Sequence, residues 1–221
     1  MTHEYDTLLD EGYILDAASG AAPAAVRVLA ACQCELNEFA ARRMGSAETA
    51  FGALLECGPT APVSADLFDR TAALLGEDTD APAASDTAAP SDATLPRALT
   101  KHLPDTADLD WRPRFGGLSE VVIDDLCEPG VHARLLKLPS GGSAPEHAHG
   151  GDEITLVLAG AFRDEVSRYA AGEICHAASG HRHRPVVEGD QDCICFVVEF
   201  GPLRPTNPIL SFAGSVLGRI F

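Results

Sequence analysis

Basic residues are scarce in this chain. Its 221 residues carry 16 Lys and Arg against 33 Asp and Glu, a net charge of −17. Residues 1–100 hold 16 acidic and 5 basic side chains, a net −11; residues 101–221 hold 17 and 11, a net −6. Surfaces of that sign repel a phosphate backbone, so direct contact with nucleic acid is not expected. They suit a basic protein partner, or serve solubility alone. Long apolar runs are missing too: no stretch approaches the roughly 20 residues that a membrane span needs. The opening MTHEYDTLLDEG has no basic region and no apolar run, so no signal peptide is expected and the chain reads as soluble and cytoplasmic. No internal repeat is present.

Large apolar side chains almost vanish between Glu77 and Pro96 (EDTDAPAASDTAAPSDATLP), a stretch of Ala, Pro, Asp, Ser and Thr. Such a composition makes a linker. It divides the chain into 1–76, a linker at 77–97, and 98–221. Cysteine, by contrast, is plentiful but odd in number. Seven cysteines scattered through a chain of this length do not make a disulfide scaffold. They are expected to be free thiols acting as small buried hydrophobes.

Before the linker the spacing is helical. Leu8, Leu9, Tyr13, Ile14 and Leu15 form an early apolar cluster, and Gly20 and Pro23 break the chain. Helices are expected over Ala24 to Leu36, over Asn37 to Glu56, and from Ser64, as a possible N-cap, through Leu75. After the linker, short apolar runs take over. Val131 to Leu138, Glu153 to Leu158 and Cys193 to Phe200 read as strands between Gly-rich turns, which suggests a barrel or sandwich. An apolar tail from Pro205 onward is expected to pack on the barrel. The fold class is α+β: a small helical bundle followed by a β-barrel.

One stretch carries chemistry: Gly142-Ser-Ala-Pro-Glu-His147-Ala-His149-Gly-Gly-Asp-Glu153, with Gly160 seven residues on. Residues two apart on a strand point to one side, so His147 and His149 both aim inward. The Gly150-Gly151 turn reverses the chain and returns Glu153 from the next strand. Two imidazoles and a carboxylate suit a divalent transition metal. His183 is taken as the fourth ligand, with His181 as runner-up on the same strand face and His176 as a third candidate. This donor set accepts Zn, Fe, Mn or Ni. Cys193 and Cys195, two apart on a strand, face one side. Asp164 and Glu165 lie either beside the site or on the surface.

These residues match the first cupin motif. The run Gly151-Asp152-Glu153-Ile-Thr-Leu-Val-Leu-Ala-Gly160-Ala-Phe-Arg-Asp-Glu165, then Tyr169, Gly172, His183-Arg-Pro185 and Asp192-Cys193-Ile-Cys195, closely resembles the C-terminal domain of ChrR-type anti-sigma factors. The front of the chain resembles that family's helical domain more weakly, at His3, Leu8-Leu9 and Ala53-Leu54-Leu55-Glu56. The resemblance implies a cytoplasmic regulator whose helical domain sequesters an extracytoplasmic-function sigma factor. It also implies a cupin barrel that holds zinc through three histidines and a glutamate and senses singlet oxygen and organic hydroperoxides. A metal-dependent cupin enzyme, a dioxygenase or isomerase, is the alternative.

The family's helical domain holds a second zinc through His-x3-Cys-x2-Cys and an N-terminal His. Here, aligned on Cys32, that motif reads Val28, Cys32, Glu35; aligned on the downstream helix, it reads Gln33, Asn37, Ala40. Neither register keeps the ligands, and Cys32 and Cys34 do not share a helix face. No zinc is expected there.

Overall fold

Asp10 opens the first helix. Its side chain accepts from the Gly12 N–H at 2.9 Å, satisfying one of the free amides of the first turn. This helix, α1 (Glu11–Ser19), stops at Gly20, whose φ of 81° is the left-handed conformation that glycine adopts without strain. Pro23 leads into α2 (Ala24–Leu36). Asn37 separates α2 from α3 (Glu38–Glu56): its extended backbone ends one helix, and its side-chain oxygen accepts from the Phe39 and Ala40 N–H groups to start the next. Helix α4 (Leu67–Gly76) begins three residues after Ser64, whose backbone carbonyl accepts from the Leu67 N–H at 3.0 Å. Ser64 therefore precedes that helix instead of capping it.

This computed structural model describes residues 7–76, 95–104, 106, 109–201 and 203–205. The expected linker over 77–94, the apolar tail beyond 205, and His3 lie outside the described residues. A short helix, α5 (Arg97–Thr100), occupies what was expected to be the linker's end. Its Arg97 and Ala98 N–H groups donate to the Glu35 carboxylate at 2.9 and 2.8 Å.

Twelve strands, numbered in chain order among the described residues, form three antiparallel sheets. The largest runs β1 (Arg112–Pro113), β2 (Ser119–Val122), β3 (Val131–Leu138), β11 (Cys193–Phe200), β5 (Glu153–Ala159), β8 (Ile174–Ala177). A second runs β10 (Val186–Glu188), β6 (Ala161–Arg163), β7 (Arg168–Ala170). A third runs β12 (Leu203–Pro205), β4 (His147–His149), β9 (Arg182–His183). The small sheets face the large one and close a barrel, the cupin architecture that the sequence resembles.

The central strands explain their own sequences. β5 and β11 read as continuous apolar runs because both of their faces are covered. Val157, Cys193, Cys195 and Val197 point inward, into a core shared with Leu138, Phe162, Tyr169, Cys175 and Val187. Ile154, Leu156, Phe196 and Val198 point outward, against Val26, Leu29 and Ala30 of α2 and against Leu99. Helices and barrel thus share one apolar core. A buried leucine in that seam, such as Leu29, is worth about 2–5 kcal/mol over alanine.

Candidate metal centre

Strand pairing assembles the site. β4 pairs with β9 so that His147 stands opposite His183, while the loop after His149 returns the chain into β5 at Glu153. That loop passes hard against β11. A Cβ on Gly151 would lie 1.6 Å from the Phe200 carbonyl oxygen, so only glycine fits. The loop is pinned there by the Phe200 N–H, which donates to the Asp152 carbonyl at 2.8 Å.

His147, His149, Glu153 and His183 converge, each offering a ligand atom within 4.8 Å of the others. The Nε2 atoms of His149 and His183 are 3.0 Å apart, and those of His183 and His147 are 3.1 Å apart. One neutral ring nitrogen has a single proton or a single lone pair, so His183 Nε2 cannot satisfy both neighbours by hydrogen bonding. Three such nitrogens and a buried carboxylate aimed at one point fit a divalent cation. His149, His183 and Glu153 are buried, which shuts out competing water.

On the opposite side of each ring an oxygen lies near Nδ1, at hydrogen-bond distance for His147 and as a nearby carboxylate for His149 and His183; such neighbours orient a metal-binding imidazole. His147 Nδ1 lies 2.8 Å from the Pro145 carbonyl. His183 Nδ1 faces Asp164 Oδ2 at 3.5 Å, and His149 Nδ1 faces Glu153 Oε2 at 3.4 Å and Glu199 Oε1 at 3.9 Å. Burial disfavours charge on His149, yet the Glu199 and Glu153 carboxylates outweigh it and raise its pKa. Burial lowers the pKa of His183, and the neighbouring rings of His147 and His149 add to that.

Glu199 was not singled out from the sequence. It is buried at the end of β11 and pairs with Arg134; Arg134 NH1 lies 3.7 Å from Glu120 Oε2, and Glu120 pairs with Arg114. Alternating charges thus run through the barrel to His149, and they offset the cost of burying each carboxylate. Its signal was present: in CICFVVEF it shares the inward phase of Cys193, Cys195 and Val197.

Of the alternative ligands, His181 lies beside His183, with ring centroids 5.8 Å apart, and forms a secondary group with Asp164 and His183. His176 points away from the cluster. Its Nε2 lies 3.2 Å from Asp152 Oδ2, and its ring packs edge-on against Tyr13. Asp164 is buried beside His183, whereas Glu165 accepts from the Arg184 N–H at 3.1 Å. Cys193 and Cys195 both face inward with their sulfurs 3.7 Å apart, and Cys175 Sγ lies 3.7 Å from Asp164 Oδ2. Hydrogen bonding within the pair lowers the pKa of Cys193 and raises that of Cys195.

These features have known counterparts. The family model for the ChrR cupin-like domain matches residues 100–203. The anti-sigma-E factor ChrR of Cereibacter sphaeroides is 35% identical over 190 residues, 85% of this chain and 86% of that protein. This chain belongs to the ChrR family of anti-sigma factors. The crystal structure of Rhodobacter sphaeroides SigE in complex with the anti-sigma ChrR superposes with a TM-score of 0.69 at 28% identity, covering 87% of this chain and 98% of that one. ChrR is a regulator rather than an enzyme, which sets aside the dioxygenase and isomerase readings. As for location, among the described residues no single helix is long and apolar enough to cross a membrane.

The second zinc implied for ChrR-type helical domains does not fit the residues here. Cys32 is fully buried in the apolar core, and its thiol is pushed up to about 12 by burial and by Glu35. Burial and Glu48 also raise the pKa of Cys34. Cys32 is enclosed among apolar side chains, and Cys34, two residues on in the same helix, does not share its face, so the two sulfurs do not converge on one ion.

Proposed function

We propose that this chain is a cytoplasmic anti-sigma factor that sequesters an extracytoplasmic-function sigma factor through its helices. In the same reading it senses oxidative stress, singlet oxygen or organic peroxide, through zinc held by His147, His149, Glu153 and His183. The observation that carries the sensing half is the meeting of three buried or half-buried imidazole Nε2 atoms and a carboxylate at one point inside a barrel.

Support for the binding half comes from the relative that is 35% identical and from the end of the helical unit. Leu54 and Leu55 of α3 and Phe68 and Leu74 of α4 are 67%, 81%, 80% and 70% exposed. Large apolar side chains left in solvent on two successive helices suit a protein-binding surface. The acidic helical half complements a partner that itself binds nucleic acid and carries basic charge.

When bound, a divalent cation cross-links the four side chains and neutralises the carboxylate. The residues transmit the rest. Glu153 is next to Asp152, and Asp152 holds the hydroxyl of Tyr13 on α1. Oxidative damage to an imidazole or to the Cys193–Cys195 pair loosens the Glu153 hairpin, and the hairpin loosens α1. Coexpression tests this: the chain is expected to purify as a complex with its sigma factor and to release it on exposure to tert-butyl hydroperoxide. Failure to form a complex, together with no repression of a sigma-dependent reporter, would overturn the reading.

A further inference from the structure

Gln33 is 2% exposed, although it is a polar residue on a helix. It follows Val26 and Leu29 along the inward face of α2, where an unpaired amide is costly. Its partners explain its presence. Oε1 accepts from the Leu9 N–H at 3.2 Å, while Nε2 donates to the Thr7 carbonyl at 3.3 Å and to the Gly172 carbonyl at 3.2 Å. One side chain therefore ties together three separate pieces of the chain: the segment before α1, helix α2, and the turn between β7 and β8.

The surroundings are built for that contact. The Ile174 N–H donates to the same Thr7 carbonyl at 2.7 Å, so the segment before α1 is fastened to the barrel edge as well as to α2. Gly172, at a φ of +85°, lets the turn approach the end of α2; a Cβ there would meet the Leu36 carbonyl oxygen at 3.1 Å. Four residues on, Asn37 uses its side chain to cap α3. Ala40 is a buried apolar residue. Gln33, Asn37 and Ala40 have the x3 and x2 spacing at which ChrR-type helical domains carry His, Cys and Cys.

We propose that the helical unit of this chain is closed by an amide cross-link, with Gln33 doing by hydrogen bonding what a zinc ion does in such domains. An amide satisfies two carbonyls and one N–H without any ion, whereas Asn and Ala supply no anionic donor for one. Among the described residues, the groups of His, Cys, Asp and Glu placed to hold a metal lie in the barrel alone. The consequence is a one-metal protein. The Gln33 closure itself is insensitive to metal supply, and metal loss reaches the helices only from the barrel centre, through the Glu153 hairpin and Tyr13.

Two measurements on the full chain test this. The first is zinc content by mass spectrometry after growth with added zinc. About one zinc is expected in the wild type and none in the His147→Ala, His149→Ala double variant. Two per chain, or one retained in the double variant, would overturn the proposal. A wild type without zinc would sink the barrel-metal reading while supporting this one. The second is hydrogen exchange at the Leu9 amide. Gln33→Met keeps the bulk and removes the bonds, so Leu9 is expected to exchange roughly tenfold faster and the melting temperature to fall by about 5 °C. Unchanged protection would contradict the cross-link. If that variant does not fold, the double variant serves: adding or stripping zinc is expected to leave its Leu9 protection unchanged, and a zinc-dependent rise would overturn the proposal.

Discussion

The phenolic hydroxyl of Tyr13 donates to Asp152 Oδ2 at 3.1 Å, and this bond joins the first helix to the loop that delivers Glu153. Asp152 also accepts from the Ser179 N–H at 3.2 Å, and the Tyr13 ring stacks on Phe200 with centroids 6.1 Å apart. Tyr13→Phe keeps the stacking and removes the bond. It is expected to cost about 1 kcal/mol in denaturant unfolding and to lower the peroxide dose that releases the sigma factor. A variant with wild-type stability and dose response would show that the bond transmits nothing.

Tyr13 also supplies a pH signature. Burial, reinforced by Asp152, pushes its pKa from 10 up to about 12. The folded state therefore favours the protonated phenol. Its contribution to stability is complete below pH 10 and is lost as the pH rises through 12. Absorbance of the tyrosinate at alkaline pH is expected to show a late transition near 12 that is missing from Tyr13→Phe. A Tyr13 transition near 10 would contradict the contact.

The carboxylates behind the imidazoles are expected to govern metal affinity. Glu199→Gln and Asp164→Asn each remove the charge facing an Nδ1 while leaving the four converging side chains in place. Each is predicted to weaken zinc binding roughly 10- to 100-fold in a chelator competition. Affinities equal to wild type would remove these residues from the site.

Much of this could be read in the sequence, for physical reasons. His147, His149 and Glu153 lie close along the chain, and the strand's period of two fixes their side. The bounds of β3 and β11 follow from dense apolar runs closed by turn residues. What stayed hidden is long-range. The Tyr13–Asp152 and Gln33–Gly172 contacts each span 139 residues, and no local pattern encodes such a pairing. Gln33 was visible only as a missing ligand; its role needs the barrel turn that it meets. Glu199 was hidden by its apolar neighbours, although its phase on β11 placed it inside.

The exposed apolar end of the helices is expected to be a binding surface rather than a structural one. Phe68→Asp removes an 80% exposed ring and touches no core. Thermal stability is predicted to stay within about 0.5 kcal/mol of wild type, while the sigma factor is lost from the coexpressed complex. Retention of full binding would move the interface elsewhere.

X-ray absorption at the zinc edge, on the purified full chain, addresses the barrel centre most directly. The arrangement of His147, His149, His183 and Glu153 predicts a first shell of imidazole nitrogen and carboxylate oxygen at about 2.0–2.2 Å with no sulfur. A sulfur contribution at about 2.3 Å, which would put the metal on the cysteines, or a chain that takes up no zinc, would contradict it.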